Sequence, residues 1–467
     1  MHSVIFWFRN DLRLQDQAAL QQAVAHAERH GQRLLIVYVH DPAQDDNTAW
    51  GFRRMGPHRR RFLAETLHDL SASLQALGQN LVLFQGEPHE VLSTLALRVN
   101  ASAIYAEEIA APEEQAQVQG LKEALKQALK EAPKQALTQP MTVHTVWQSS
   151  LLAPEALPFA VADMPQIFTT FRQRIEAVGL QPLPPLAAPR TLPPAPDVMP
   201  LPDQLPGWRE SPWALLGLDD DIAHEVAADL RTEVSTRPLK DDEHSHFKGG
   251  ESHALAHLHH YLTPPWPDRY KQTRNALQGL HISSHWSPGL ATGAVSARTV
   301  WAALHAYEQQ HGANDGTYWL WFELLWRDNF RFLHLQHGRQ LYAARGLSSL
   351  PRPKHFPKDF QRWCDGNTGE PIVDAGMREL VSTGYTSNRM RQIVASYLVH
   401  DLSCDWRAGA AWFESQLIDY DIYSNQGNWL YISGRGTDPR AGRRFNPTKQ
   451  TQDHDPQGRY RKQWLGA

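Results

Sequence analysis

The first third of the chain constrains the fold most, because short apolar runs rich in β-forming residues alternate there with amphipathic stretches of helical periodicity. The apolar runs lie at residues 4–8, 34–39, 81–84 and 103–105. This alternation is typical of βαβ units and predicts an α/β domain with a doubly wound parallel sheet at residues 1–135. Ligands of such sheets bind beyond the carboxyl ends of the strands.

The pattern changes further along the chain. Residues 136–235 are predicted to form a long surface linker, since prolines crowd residues 180–207 and favour an extended backbone. Beyond Lys240 the strand signals nearly vanish and long helical stretches follow. We therefore expect residues 236–467 to form a large all-α domain joined to the first domain by the linker.

Composition narrows the class of protein. Two cysteines, Cys364 and Cys404, exclude a disulfide framework and a tetrahedral thiolate zinc site, so we expect no metal and a cytoplasmic location. The N-terminal apolar run meets Arg9 and Asp11 and is far shorter than the roughly 20 residues of a membrane span, so we expect no membrane contact. A net charge of -4 gives no global nucleic-acid signature, so contact with DNA requires a local basic patch.

Residues 318–328 form a nearly all-apolar helical segment whose charges need partners. Glu323 and Arg327 lie one turn apart, and in one interpretation they pair with each other. In the other, Glu323 and Trp326 share one face of the helix and line a cavity. The sequence leaves both interpretations open.

Hydroxyl-bearing residues precede another apolar helix. Ser287 is the predicted N-cap of this helix and Pro288 its first residue, with Ser283 and Ser284 just before them. Backbone donors and hydroxyls that converge in this way form an anion site suited to a phosphate, although most caps of this kind bind nothing.

Two acids and an amide, Asp419, Asp421 and Asn425, lie in an apolar helical region. Buried acids need cationic or hydrogen-bonding partners. We expect Asp419 to form an internal ion pair with Arg391 that holds two helices together.

The segments that contain these residues resemble a known family. Residues 383–389 and 419–429 are similar to the flavin-cradling segments of photolyases and cryptochromes. Further similar blocks occur in the family order, at residues 7–13, 56–63, 270–275, 323–328 and 405–407. The resemblance covers nearly the whole chain and is poor only around residues 132–235.

The resemblance implies that the helical domain binds a U-shaped FAD. The implied contacts are, for the phosphates and the ribityl chain, Tyr270, Ser283, Ser284 and Ser287, and, around the isoalloxazine, Arg391, Asp419, Asp421 and Asn425. Of these, Asp421 bonds the pyrimidine edge and Asn425 faces the reactive flavin nitrogen. An amide at that place bonds either protonation state, which we expect to keep an anionic reduced flavin usable.

In this family, repair is photochemical: excited reduced FAD gives one electron to a cyclobutane pyrimidine dimer, the ring splits, and the electron returns to the flavin. Glu323 and Trp326 match the lesion-contacting pair, and Arg274 and Asn388 are further candidates at the cavity. Tyr431 stands where related bacterial photolyases carry a second tryptophan, as in the DASH branch. The implied partner of a monomeric protein is damaged DNA, preferably single-stranded, because flipping a lesion costs little there.

The resemblance also implies a chain of tryptophans that photoreduces the flavin. Trp429 and Trp406 match its proximal members, but the distal position falls near Pro353. Either another aromatic residue, such as Trp363 or Trp412, completes the path, or photoreduction is slow.

Two more sites follow from the resemblance. The DASH-like segment after Tyr431 carries arginines that we expect to clamp DNA phosphates, although a solvated loop is the alternative: Arg435, Arg440, Arg443 and Arg444. An antenna pigment, methenyltetrahydrofolate, is expected between the domains with Glu107 or Glu108 as its contact.

Three classes of function compete. The leading one is a light-dependent DNA lyase, the second a blue-light photoreceptor that signals through a partner, and the third a light-independent flavoprotein or nucleic-acid binder. His281 and His285 lie near the serine motif, but nothing places them over a lesion, so we do not expect repair of the (6-4) photoproduct.

Overall fold

The structure, a computed structural model, describes residues 2–131, 141–197, 205–218, 247–438 and 442–466. Its N-terminal part contains a six-stranded sheet. The strands are β1 (Ser3–Phe8), β2 (Arg33–His40), β3 (Leu81–Gln85), β4 (Ala101–Glu107), β5 (Thr142–Val146) and β6 (Trp208–Arg209). Their order is β5-β4-β1-β2-β3-β6, and only the pairing of β6 with β3 is antiparallel.

Helices cover both faces of this sheet. The helices of this part are α1 (Ala18–Arg29), α2 (Pro57–Ala76), α3 (Pro88–Arg98), α4 (Pro112–Glu131), α5 (Phe168–Ala177) and α6 (Pro212–Leu216). Along β1, Val4 and Phe6 pack with α1 and α2 on one face, while Ile5 and Trp7 pack with α3 and α4 on the other. The continuous apolar run of β1 is thus explained by burial on both sides, as in other parallel sheets. The predicted doubly wound α/β domain is confirmed.

The C-terminal part is helical, as predicted. Its helices are α7 (Glu251–Tyr261), α8 (Trp266–Thr273), α9 (Ser287–Thr292), α10 (Ala297–His311), α11 (Asp315–His337), α12 (Pro357–Cys364), α13 (Pro371–Thr383), α14 (Asn388–Ser396), α15 (Trp406–Gln416), α16 (Ile422–Ser433), α17 (Pro447–His454) and α18 (Arg459–Leu465). They enclose one large apolar core, and α5 packs into this core rather than against the sheet. Among the described residues, no helix combines the length and the apolar character that a membrane span requires.

The segment assigned to the linker contains more regular structure than the sequence indicates. Strands β5 and β6, at opposite edges of the sheet, both lie within residues 136–235, as does α5. The described residues 180–197 of the proline-rich stretch contain no helix or strand and contact the first domain, where the backbone N–H of Leu34 donates to the carbonyl of Pro194 at 3.0 Å. The described parts of the linker therefore pack on both domains, and the domain boundaries at 135 and 236 stay a prediction.

Buried polar contacts join the two domains. The carboxylate of Asp16, with no exposed surface, accepts hydrogen bonds from Ser296 Oγ at 2.5 Å and from Arg298 Nη2 at 2.6 Å. Arg13 donates to the carbonyl oxygen of Gly293 at 3.0 Å. A buried carboxylate with charged and hydroxyl donors fixes orientation, because a shifted domain would leave it unpaired.

Candidate functional site

The residues predicted to form a site in the helical domain gather around a cleft of about 580 Å³, which we call the helical cleft. It lies between α14, α16 and the segment that joins α15 to α16. The structure brings together there Asn388, Arg391, Asp419, Asp421, Asn425 and Trp429. Asn388, expected at the lesion, thus lines the same cleft as the candidate flavin contacts.

Arg391 and Asp419 form the predicted ion pair in this cleft. Arg391 Nη2 lies 2.9 Å from Asp419 Oδ2, and Arg391 Nε donates to the carbonyl of Thr386 at 2.9 Å. Burial disfavours the guanidinium charge, but the Asp419 carboxylate outweighs it and raises the pKa of Arg391. The second oxygen, Asp419 Oδ1, is buried without a hydrogen-bond partner in the described structure. A buried acceptor of this kind suits a ligand that brings its own N–H or O–H group.

Asp421 has two roles in the structure. As N-cap of α16 it accepts a hydrogen bond from the backbone N–H of Ser424 at 2.7 Å. Its Oδ2 also lies 2.5 Å from Nη2 of Arg331, a residue that the sequence did not single out. Burial opposes the carboxylate charge, but Arg331 and Arg327 prevail and lower the pKa of Asp421 to about 2. An arginine inside an otherwise apolar helix was the available signal for Arg331, since such a charge needs a partner.

Asn425 lies one turn after Asp421 on α16. Its Nδ2 donates to the carbonyl of Ala410 at 3.0 Å, so α15 holds the amide in place at the edge of the helical cleft. A polar group oriented by a neighbouring helix is preorganised for a ligand.

The serine motif differs from its predicted capping geometry. Helix α9 begins at Ser287, and its N-cap is Trp286, which makes no side-chain cap. The prediction that Ser287 is the N-cap is wrong, because the chain turns at His285, with φ of 50°, and is helical from Trp286 onward. Burial lowers the pKa of His285 to about 3, which keeps its imidazole neutral.

The other candidate phosphate contacts lie close to this turn. The carbonyl of Ser284 is 2.8 Å from His257 Nε2, and Tyr270 is buried on α8. The roles of Tyr270, Ser283, Ser284 and Ser287 in holding phosphates stay predictions.

Glu323 pairs with Arg274 and not with Arg327, which is one helical turn away on the same helix. Its Oε1 lies 2.5 Å from Arg274 Nη2, whereas Arg327 donates to the carbonyls of Ser149 at 2.5 Å and Leu290 at 3.2 Å. The interpretation as a Glu323–Arg327 pair is therefore wrong, because the guanidinium of Arg327 points to the interdomain segment. Burial raises the pKa of Glu323, and Arg274 only partly offsets this shift.

Trp326 and Tyr431 meet in a second cleft of about 560 Å³, the aromatic cleft. Their rings form an edge-to-face pair with centroids 5.9 Å apart. Trp326 also stacks in parallel on Phe168, with centroids 3.7 Å apart. Phe168 opens α5 inside the segment assigned to the linker, so no sequence signal marked it as part of a site.

The four arginines expected to clamp phosphates have different environments. Arg443 Nε donates to Tyr431 Oη at 2.7 Å, and Arg444, whose side chain is 65% exposed, pairs with Asp401 at 2.6 Å. Arg435 is buried and donates to the carbonyl of Pro351 at 2.8 Å, so the prediction of a phosphate contact there is wrong for this structure. Arg440 lies outside the described residues.

Three tryptophans, Trp363, Trp406 and Trp429, are buried in the core of the helical domain. Trp429 lines the cleft, and its ring forms an edge-to-face pair with Trp363 at a centroid distance of 6.4 Å. Trp406 opens α15 and donates Nε1–H to the carbonyl of Ala344 at 3.1 Å. A Cβ at Gly409, one turn further on α15, would lie 2.2 Å from the Trp429 ring, so only glycine allows this approach of α15.

A third cleft, the interdomain cleft, has about 1380 Å³ of empty space and lies between the carboxyl ends of the strands and the helical domain. Glu107 lines it, whereas Glu108 pairs through its backbone N–H with the carbonyl of Val146. Burial, reinforced by Asp11, raises the pKa of Glu107 to about 8. Its Oε2 is buried and has no partner among the described residues. Of the two candidates, Glu107 is thus the one placed to contact a ligand.

We expect Asp419→Asn to lower the free energy of unfolding by about 3–5 kcal/mol, because it leaves the Arg391 charge buried and unpaired. Flavin retention should fall with it, measured as the flavin-to-protein absorbance ratio after gel filtration. Asp401→Asn, which breaks only the exposed pair with Arg444, is the matched control and should cost about 1 kcal/mol or less. Equal stability and equal flavin content in the two variants would contradict this assignment.

Glu107 should make stability depend on pH. Its pKa is about 8 in the folded protein against an ordinary value of 4.5, so between these values only the unfolded chain ionises and stability falls as pH rises. We expect Glu107→Gln to be more stable than the parent at about pH 8, by on the order of a few kcal/mol, with the difference shrinking towards about pH 5. Denaturant unfolding at both pH values measures this. The exposed Glu155→Gln should show no such trend, and a constant difference for Glu107→Gln would contradict the ionisation.

Comparison with known proteins supports the resemblance. Residues 4–190 match the family model described as DNA photolyase, and residues 319–467 match the FAD binding domain of DNA photolyase. The cryptochrome DASH of Gloeobacter violaceus is 40% identical over 99% of this chain and 85% of its own length. That of Xenopus laevis is 39% identical over 99% of this chain and 82% of its own.

Solved structures agree. The crystal structure of a Synechocystis sp. PCC6803 cryptochrome has a TM-score of 0.86 and 37% identity over 100% of this chain and 89% of that chain. A bacterial class III photolyase from Agrobacterium tumefaciens has a TM-score of 0.74 and 28% identity, covering 100% and 87% respectively. With family matches in both domains and such relatives over its full length, the chain belongs to the photolyase and cryptochrome family and resembles its DASH branch.

Proposed function

We propose that this chain is a blue-light-dependent FAD flavoprotein that repairs cyclobutane pyrimidine dimers, preferentially in single-stranded or looped DNA. The observation that supports this most is the position of α16. One side of it, with Asn425 and Trp429, lines the helical cleft, and another, with Tyr431, lines the aromatic cleft. A cofactor in the first cleft and a flipped base in the second are thus separated by little more than one helix. The proposal includes a monomeric, cytoplasmic protein.

The donor set of the helical cleft fits FAD. Arg391, Asp419 and Asn425 supply a cation, an unpartnered buried acceptor and a fixed amide, which match the mixed donors and acceptors of an isoalloxazine edge. When bound and reduced, FAD would supply the photochemical electron that splits the dimer and would take the electron back afterwards, so that repair is redox-neutral overall. The residues of the chain orient the ring and exclude water.

At the lesion, the aromatic rings and Glu323 have separate tasks. Trp326 and Tyr431 offer apolar faces on which pyrimidines can pack. Glu323 supplies a buried carboxyl, whose pKa burial raises, as a hydrogen-bonding group for a base. The pair with Arg274 has to open for this contact.

The alternative is a blue-light photoreceptor with little or no repair, and one observation favours it. Trp326 is stacked on Phe168 and touches Tyr431, so rings of the protein itself occupy part of the space that a dimer requires. The DASH relatives carry the name cryptochrome.

Repair of a defined thymine dimer tests the proposal, using purified protein with fully reduced FAD, matched single-stranded and duplex oligonucleotides, and a dark control. We expect repair in light only, and faster in the single strand. Trp326→Ala should weaken binding of the dimer-containing strand about tenfold or more, since base–aromatic stacking contributes ~1–3 kcal/mol. Absence of repair on both substrates, with FAD bound and photoreducible, would favour the photoreceptor.

We further propose that Trp363 belongs to the photoreduction path. With FAD bound, Trp429 would be the residue nearest to supply an electron for its photoreduction, and Trp363, whose ring contacts Trp429, would supply the next one, with an added thiol as the final reductant. Trp406 remains the other candidate for this step, because its helix packs against the Trp429 ring. Two rows of aromatic rings lead outward from Trp363. Phe360 lies between Trp363 and Trp50, and Phe52 lies between Phe360 and Trp412.

Photoreduction under blue light with a thiol present separates these candidates. Trp363→Phe should slow the loss of oxidised-flavin absorbance severalfold, because phenylalanine fills the space but is not oxidised. Trp208→Phe, in the sheet domain, is the control and should match the parent. If photoreduction is normal in Trp363→Phe and is lost in Trp406→Phe, then Trp406 and not Trp363 is the residue that donates to Trp429.

We also propose methenyltetrahydrofolate as the antenna pigment of the interdomain cleft, with Glu107 as its contact. The proposal rests on the place of this cleft between the two domains and on its buried carboxyl, which keeps its proton near neutral pH and can both donate to and accept from a pterin ring.

A further inference from the structure

A basic segment follows α11 after five intervening residues and includes the first two residues of α12. Residues 343–358, which we call the basic strap, contain the four cations Arg345, Arg352, Lys354 and Lys358 and no acidic residue. Over the whole chain, Asp and Glu outnumber Lys and Arg by 50 to 46. The strap therefore concentrates positive charge on a protein that has a slightly negative balance.

All four cations are exposed and available for a partner. Each is exposed in the structure, and in the described part of the chain none has a carboxylate within ion-pair distance. Surface cations usually find a nearby acid at little cost, so four unpaired ones within 14 residues form a local positive field.

The backbone of the strap is fixed rather than loose. Leu347 N–H donates to the carbonyl of Arg435 at 2.8 Å, and the Arg435 guanidinium returns a bond to Pro351 at 2.8 Å. Trp406 donates to Ala344, at the start of the strap. Gly346 has φ of 55°, and a Cβ there would lie 2.4 Å from the Arg435 carbonyl oxygen. The buried Arg435 thus positions the strap instead of meeting a phosphate.

The strap leads away from the aromatic cleft. Leu347 lines that cleft together with Trp326 and Tyr431. Further along, Pro351 and Pro353 disfavour helix and keep the chain extended. Arg352 and Lys354 are two residues apart, and side chains two residues apart lie on the same side of an extended chain. Near the far end, Phe356 leaves 43% of its surface exposed. Cations at short intervals with an accessible ring are the combination that binds unpaired nucleotides.

We propose that the basic strap binds the phosphate backbone of a single nucleic-acid strand next to the base in the aromatic cleft, with Phe356 stacking on an unpaired base. The inference rests on the proposed function for the lesion in the cleft, but binding by the strap needs neither lesion nor light. An acidic polypeptide is the less suitable partner, because it offers no flat base for Phe356 or for the rings of the cleft.

Binding of an undamaged oligothymidylate in the dark, followed by fluorescence anisotropy over a range of salt concentrations, tests this. Lys354→Gln/Lys358→Gln should weaken binding by up to about 25-fold at about 0.1 M salt and reduce the slope of log K against log salt by about 1.4, because two phosphates are no longer neutralised. The matched control is Lys122→Gln/Lys126→Gln on α4, which removes the same charge from exposed lysines elsewhere. Phe356→Ala should weaken binding without changing the slope.

Each outcome decides the question. Unchanged affinity and slope in the strap variant, or equal loss in the α4 control, would overturn the proposal. Polyglutamate that competes as well as the oligonucleotide would show that the strap recognises polyanions in general and would overturn it as well. Weaker binding by the strap variant in a protein that repairs no dimer would uphold the strap and count only against repair.

Discussion

The buried ion pair between Arg331 and Asp421 is the contact on which the arrangement of the sites depends. It joins the long helix α11 to the first turn of α16, and Asp421 lines both the helical cleft and the interdomain cleft. Two desolvated charges are expensive to separate, so the start of α16 is held where Asn425, Trp429 and Tyr431 can reach their clefts. The low pKa of Asp421 keeps this pair charged across the physiological range.

The three clefts are close together because they share walls. Helix α16 separates the helical cleft from the aromatic cleft, and the segment around Asp421 separates the helical cleft from the interdomain cleft. Under the proposed function, light energy collected between the domains and an electron leaving the flavin would both travel short distances. The inter-domain contacts of Arg13 and Asp16 keep the two domains in a fixed orientation.

Whether the protein repairs dimers or acts only as a photoreceptor depends on whether the aromatic cleft can receive a dimer. Glu323, Trp326 and Tyr431 have the chemistry to receive a dimer, but Glu323 is paired with Arg274 and Trp326 is stacked on Phe168. Binding of a dimer would break at least one of these ring contacts and the ion pair between Glu323 and Arg274. A flipped lesion from a single strand brings less unpairing cost of its own, which suits a pocket that must also rearrange.

The sequence by itself determined the fold class and most members of the helical cleft. Periodicity separates a parallel sheet from a helical domain because the two bury side chains at different intervals, and ordered motifs mark Arg391, Asp419 and Asn425. Only the tertiary structure decided the partners of the charged residues. Arg274 takes Glu323, Arg331 takes Asp421, and Arg435 turns inward to hold the strap. The partners are 49 positions apart for Arg274 and Glu323, 90 for Arg331 and Asp421, and 84 for Arg435 and Pro351. Local spacing cannot predict such contacts, because a buried charge pairs with the partner that tertiary packing brings close to it.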